Sequence, residues 1–283
     1  MIGLIRAEVL KLRTTNVWWA MLLGVAAFTG LALTVNILQS SFFLDNPDDA
    51  QTTGGSEVED QQAAQQNAVA RSVVAMAANV YTSGQFFGVL LVMIFGVLIV
   101  TNEYRHKTAT ATFLTMPRRT RVIGAKLVTA ILWGVVFFLI TALISIPIGA
   151  LFFGNRDLGT QLTNSDVVAS LLLNALAFAI WAIFGLGLGT MLKNQVVSIV
   201  VALTLYFVQL GVQLVLTGLA YYFEALWILK IQYWLPGGAS SVMVSTTEIP
   251  GIPPWWQGAL ALLAYGVVAA GIGTAVTTRR DIS

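Results

Sequence analysis

Residues Val196–Ala220 read VVSIVVALTLYFVQLGVQLVLTGLA, a run of 25 positions without a single charge. A helix needs about 20 apolar residues to cross the hydrocarbon core of a bilayer. The run therefore predicts a transmembrane helix. Outward from it, five more stretches of the same kind occur: Val17–Leu38, Gly84–Val100, Lys126–Phe153, Val167–Met191 and Gln257–Thr277. The composition agrees. Apolar residues make up 57% of the 283 positions and charged residues only 10%, against roughly 25% charged in an ordinary soluble domain. Mean hydropathy is +0.80. A soluble globule cannot hide that much apolar surface, so the chain reads as an all-α integral membrane protein with six spans.

Charge supports the count. With six spans and both termini in the cytoplasm, twelve Lys and Arg fall inside against three acidic residues, Glu8, Glu103 and Asp281. Outside fall Arg71, Arg156 and Lys230 against ten acidic residues. The inside excess of Lys and Arg is what sets orientation, and an odd number of spans would destroy the partition. Paired aromatics stand at span ends, as headgroup anchors do: Trp18 and Trp19, Tyr221 and Tyr222, Trp255 and Trp256. The basic lead and long apolar run of residues 1–38 read as a retained first span rather than a cleaved signal. The pI near 9.0 reflects this topology and gives no reason to expect nucleic acid; membrane lipids are the expected surroundings.

Between the spans the composition changes. Met1–Thr14 has Ile2, Ile5, Val9 and Leu12 on one helical face, with Arg6, Lys11 and Arg13 elsewhere. That is an amphipathic helix for the cytoplasmic leaflet. Residues 39–83 open as an acidic external loop. Gln61–Tyr81, free of Gly and Pro, predicts a helix outside the membrane. Thr101–Arg121 is the one long inside segment, basic, with a helical turn or two before Pro117. The external segment 221–256 predicts an interfacial or re-entrant helix over Tyr221–Leu235, broken by Pro236-Gly237-Gly238. Together these make a single transmembrane domain over 1–283.

Catalytic chemistry is missing. Cys is absent and His106 stands alone, which removes thiol nucleophiles, zinc–thiolate and iron–sulfur sites, and histidine-built metal centres. No Walker A, GxSxG or HExxH pattern occurs. Gly185 and Gly189 lie inside a span and read as a small-residue packing face. The longest segment outside the spans, roughly 45 residues, is too short for an ATPase domain. No ionisable residue lies deep in a span; Lys126 and Lys193 sit at span ends, where they can snorkel. Relays for proton coupling are thus missing. Neutral polar groups remain: Gln209 and Gln213, four apart on one helical face, and Asn174. They serve either interhelical hydrogen bonding or a substrate path, and the sequence leaves both open.

The sequence also resembles a known family. Ala7–Arg13 (AEVLKLR) precedes the first span, Glu103–Thr108 (EYRHKT) closes the second, and Met116–Arg121 (MPRRTR) leads towards Lys126. These segments, in this order around six spans, resemble the permease subunit of ABC transporters of the ABC-2 type, the six-span exporter fold. The resemblance implies that the segment between spans two and three holds a cytoplasmic coupling helix docking on a separate ATPase. Glu103, Arg105, Lys107 and Thr108 would flank or form that contact, with Pro117, Arg118 and Arg119 closing it. Glu8 and Lys11 of the amino-terminal helix would lie beside the ATPase. It further implies two ATP-binding subunits, a second permease that is this chain or a sister, and ATP with Mg bound by the partner rather than here. The expected function is outward movement of an amphipathic or lipid-like drug, peptide or lipid across a bacterial cytoplasmic membrane. A non-transporting scaffold, sensory or immunity subunit working with an ATPase stays open, as does a secondary carrier.

Overall fold

The computed structural model describes residues 2–46, 57–108, 119–246, 249 and 251–279. Within them the chain is helical. It runs α1 (Ile2–Arg13), α2 (Val17–Asp45), α3 (Glu57–Arg71), α4 (Val73–Tyr81), α5 (Gln85–Arg105), α6 (Arg119–Gly154), α7 (Ser165–Leu192), α8 (Gln195–Phe223), α9 (Leu226–Ile231), a 3₁₀ turn (Gln232–Trp234), α10 (Pro236–Val244) and α11 (Trp255–Arg279). Six helices among the described residues are long and apolar enough to cross a membrane, and they coincide with the six predicted stretches.

Short polar caps set the boundaries. Asn164 Oδ1 accepts from the Asp166 N–H at 2.9 Å and starts α7. Asn194 Oδ1 accepts from the Val197 N–H at 3.2 Å and starts α8. Each takes one of the amide donors that a helix start leaves unbonded. Between α7 and α8 only Lys193 and Asn194 intervene, and Lys193 turns the chain in the left-handed region at φ 55°. The two helices therefore return antiparallel.

α7 is the central helix, packed against α5, α6 and α11. Its contact with α5 is backbone to backbone. A Cβ on Gly185 would lie 1.9 Å from the Met93 carbonyl oxygen, and one on Gly189 would lie 2.8 Å from that of Val97. Aromatic rings fill the neighbouring layer, with Phe95 4.8 Å from Trp133 and 5.4 Å from Phe137. α2 and α8 instead bury few of their apolar side chains and leave Leu23, Phe28, Val35, Val200, Phe207 and Leu214 among those exposed. Such faces suit lipid or another membrane chain.

The six helices divide the loops between two ends of the bundle. The basic end carries α1, the end of α5, the start of α6 and the α7–α8 turn. The acidic end carries α3, α9, α10 and the α6–α7 loop. There Arg156 donates to both oxygens of Asp45, at 2.6 and 3.2 Å, and Val58 of α3 is buried beside Ala220, Ile228 and Leu229.

Two segments at the acidic end differ from the sequence expectation. Gln61–Tyr81 is not one external helix. Ser72 interrupts it, accepting from the Ala75 N–H at 3.2 Å to cap α4. α4 then enters the bundle, with Met76, Ala77, Val80 and Tyr81 buried against Leu33, Phe153 and Val167. Its apolar face reaches the core, so α4 extends the second span across the Thr82–Gly84 break. Nor is Tyr221–Leu235 one helix: α8 runs on to Phe223, Glu224 turns the chain in the left-handed region at φ 50°, and only the short α9 and a 3₁₀ turn precede Pro236, which breaks the run as expected and itself begins α10, since proline suits the first helical position. Gly238 is required there, because a Cβ would meet the Gln232 carbonyl oxygen at 2.0 Å.

Candidate functional site

Two polar sites lie in this apolar bundle. The first is built of charges, at the basic end. Glu8 falls on the face of α1 that also carries Ile5, Val9 and Leu12, so packing that face inward carries the carboxylate with it. Glu103 ends the buried face of α5, and Lys126 lies on the first turns of α6. All three are buried, while Lys11 reaches in from the rim. Lys11 Nζ donates to Glu8 Oε1 at 2.8 Å and to Glu103 Oε1 at 2.6 Å. Lys126 Nζ pairs with Glu8 Oε2 at 2.7 Å and with Glu103 Oε2 at 3.1 Å. A third Lys126 donor reaches the Ile99 carbonyl oxygen at 3.3 Å.

The result is a closed, neutral ring in which each carboxylate oxygen takes one ammonium. Buried charges are tolerated when they are paired and their hydrogen bonds are satisfied; removal of one partner is then strongly destabilising. Partial burial lowers the pKa of Lys11, but the hydrogen bonds and attraction of Glu103 and Glu8 outweigh it, and the net direction is up. The ring joins α1 to α5 and α6. Lys126 is thus corrected: it does not snorkel to a headgroup but turns inward to the two glutamates. Its partners lie 118 and 23 positions away, beyond any helical periodicity, and no local pattern marks them.

The remaining residues read as coupling groups scatter. Arg105 is exposed and donates to Gln195 Oε1 at 3.1 Å. Lys107 is exposed in the left-handed region at φ 55°, and Thr108 folds its N–H back to the Glu103 carbonyl at 2.9 Å. Arg119 begins α6. Pro117 and Arg118, with the expected coupling helix, lie outside the described residues. The structure adds the α7–α8 turn to this surface: Lys193 Nζ sits 5.6 Å from the Tyr104 ring centroid, and an open groove of about 620 Å³ runs between Tyr104, Arg105 and residues 192–196.

The second site is a cavity of about 220 Å³ between α5, α7, α8 and α10. Gln209 and Gln213 both line it, with Gln85, Phe86, Trp181, Tyr206, Ser240 and Ser241. Gln209 is held in place: its Oε1 accepts the Gly237 N–H at 2.7 Å, capping the first turn of α10 from a neighbouring helix. Ser240 Oγ accepts from Gln85 Nε2 at 3.0 Å and from Trp181 Nε1 at 3.2 Å. Tyr206 donates to the Phe86 carbonyl and fixes its own ring. Asn174 lines neither this cavity nor its neighbour; it is buried in α7, and its Oδ1 finds no hydrogen-bond partner among the described residues. Gln85, Trp181, Tyr206 and Ser240 escaped sequence reasoning because they come from four different helices and meet only in the folded bundle.

Among the described residues no group of three or more His, Cys, Asp or Glu is placed to hold a metal ion. What the arrangement offers is a rigid joint at one end and a neutral polar cavity beyond it. The family model described as ABC-2 family transporter protein matches residues 4–209, which include the ring and most of the cavity wall. No curated protein matches the chain.

Proposed function

The chain belongs to the ABC-2 transporter family and is a multi-pass membrane permease component, and from that premise we propose that it exports an amphipathic, lipid-like or peptide-like cargo, powered by separate ATPase subunits. The basic end faces the cytoplasm, both termini included, in the cytoplasmic membrane of a bacterium. Two ATP-binding subunits hold ATP and Mg and hydrolyse the nucleotide; this chain hydrolyses none. Two permeases, identical or sister chains, complete the assembly, and the exposed apolar faces of α2 and α8 are suited to that contact.

The observation that carries the reading is the four-charge ring. Force applied by an ATPase to the segment between α5 and α6 enters the bundle where those helices begin and end. A ring of Glu8, Lys11, Glu103 and Lys126 makes α1 and both helix ends one rigid body, so the push is delivered to the spans rather than lost in a loop. Arg105, Lys107, Thr108, Pro117, Arg118 and Arg119 are the docking side of the same lever. ATP closure of the ATPase pair would rock the bundles open outward, and hydrolysis would reset them. Cargo couples to this cycle only by binding the two states unequally.

The test is purification of the tagged chain from its native membrane in mild detergent, with mass identification of what accompanies it. An ATPase at equal stoichiometry is expected. Its retention should fall sharply in the double charge reversal Arg105→Glu, Lys107→Glu while the permease stays folded. Recovery of the chain alone, under conditions that hold other membrane complexes together, would contradict the proposal.

A further inference from the structure

The cavity between α5, α7, α8 and α10 has a neighbour of about 150 Å³ on its acidic-end side. The two share a wall made by Gln85 and Ser241. Among the described residues no Asp, Glu, Lys, Arg or His lines either one. Yet both are polar: the second adds Asn79, Thr82, Ser245 and Thr246. An uncharged but hydrogen-bonding wall is a selective environment. It can satisfy amides and hydroxyls, and it offers no counter-ion to a charge that leaves water.

The unused hydrogen-bonding capacity can be counted. Ser240 Oγ already accepts twice, from Gln85 and Trp181, so its own O–H is left to donate. Gln209 commits its oxygen to Gly237 and keeps its two N–H donors. Gln85 commits its nitrogen to Ser240 and keeps its oxygen as an acceptor. Gln213 stands on the cavity wall one helical turn from Gln209, with both functions of its amide. Donors and acceptors thus converge on one space beside the faces of Trp181 and Tyr206, whose rings lie 5.6 Å apart at 66°. A cavity of about 150 Å³ lined by apolar groups takes one benzene ring, so this pair of chambers has room for a ring with amide substituents.

We propose that the two chambers bind an uncharged ligand bearing both amide- or hydroxyl-type donors and acceptors on an aromatic or other planar apolar body. Gln213 is its specificity-determining residue, and the Gln85–Ser241 wall is the divider that the ligand passes or straddles. The proposal rests on the permease reading and narrows its cargo: neutral peptide-like or drug-like molecules fit, and anionic or cationic headgroups do not. Gln213 is singled out because the other three amide and hydroxyl groups also hold helix-to-helix bonds.

The test uses the chain purified with whatever subunits it retains, and three labelled probes of one shape: N-acetyl-phenylalaninamide, neutral; N-acetyl-phenylalanine, anionic; and phenylalaninamide, cationic at about pH 6, below the usual range of an α-amino group. Equilibrium dialysis gives each dissociation constant. The neutral probe should bind at least about tenfold more tightly than either ion, since neither ion finds a partner among the described lining residues. Gln213→Leu should weaken the neutral probe by about tenfold or somewhat less, the scale of one hydrogen bond. Gln213→Glu should reverse the order and favour the cation. Equal binding of the three probes, absence of binding by the neutral probe, or indifference to both Gln213 variants would overturn the proposal. Retention of the ATPase is read on the same samples. Its loss in the unsubstituted protein would strike the permease–ATPase reading alone, and its presence with no probe binding would strike this inference alone.

Discussion

The two polar sites of this bundle solve the same problem in opposite ways. At the basic end three buried charges and a fourth at the rim pair with one another, at 2.6–3.1 Å. In the cavity the described wall carries no charge, and neutral amides and hydroxyls share their hydrogen bonds with spare capacity left over. A saturated ionic ring has one favourable arrangement and makes a stiff joint. A partly unsaturated neutral wall can accept a visitor. Rigidity and receptivity in one membrane protein are thus separated by whether the polar groups are finished with one another.

The contrast breaks most severely at Lys126. Lys126→Met leaves two buried carboxylates with one exposed-side ammonium between them, and the expected loss is about 3–5 kcal/mol. Thermal unfolding in detergent measures it, and α1 should become the first site of protease cleavage. In the cavity the corresponding insult is milder. Gln209→Leu frees the Gly237 N–H at the start of α10 and should cost about 1–2 kcal/mol. Hydrogen exchange should rise at α10 and leave α1 unchanged.

Titration sharpens the comparison further. The pKa of Lys11 is raised above its ordinary 10.5. Its contribution is therefore fully present below that value and is lost only as pH climbs through the higher folded value. Protease protection of α1 should be flat from about pH 6 to pH 9 and fall only in strong alkali. The smallest effect belongs to the exposed pair at the acidic end: Asp45→Asn should leave the melting temperature unchanged within error, because exposed pairs are screened by water and salt.

How far the sequence disclosed this depends on the physical range of each signal. The spans are local, since a run such as Val196–Ala220 declares itself by length and lack of charge. α4 was harder: Val73–Tyr81 is nine residues, too short to read as a span, and its Ala-rich context with the Gln run before it resembles a solvent helix. Its burial comes from Phe153 and Val167, distant in sequence. Glu8, Lys11 and Glu103 stood out through the family resemblance, but their bonds to one another and to Lys126 depend on three helices meeting. Gln209 and Gln213 were legible because a four-residue spacing marks a helical face. Gln85, Trp181 and Ser240 were not, because each meets the others only after α10 folds back on Pro236. Asn174 lies apart from both chambers, buried in α7.

The most direct measurement is a double-mutant cycle on the ring: Glu103→Gln, Lys126→Met and both together, with thermal stability read in each. A ring that acts as one joint predicts that Lys126→Met is partly rescued by Glu103→Gln, which restores neutrality, with a coupling energy of about 2 kcal/mol or more. Strict additivity of the two changes would contradict it and reduce the four charges to independent markers of topology.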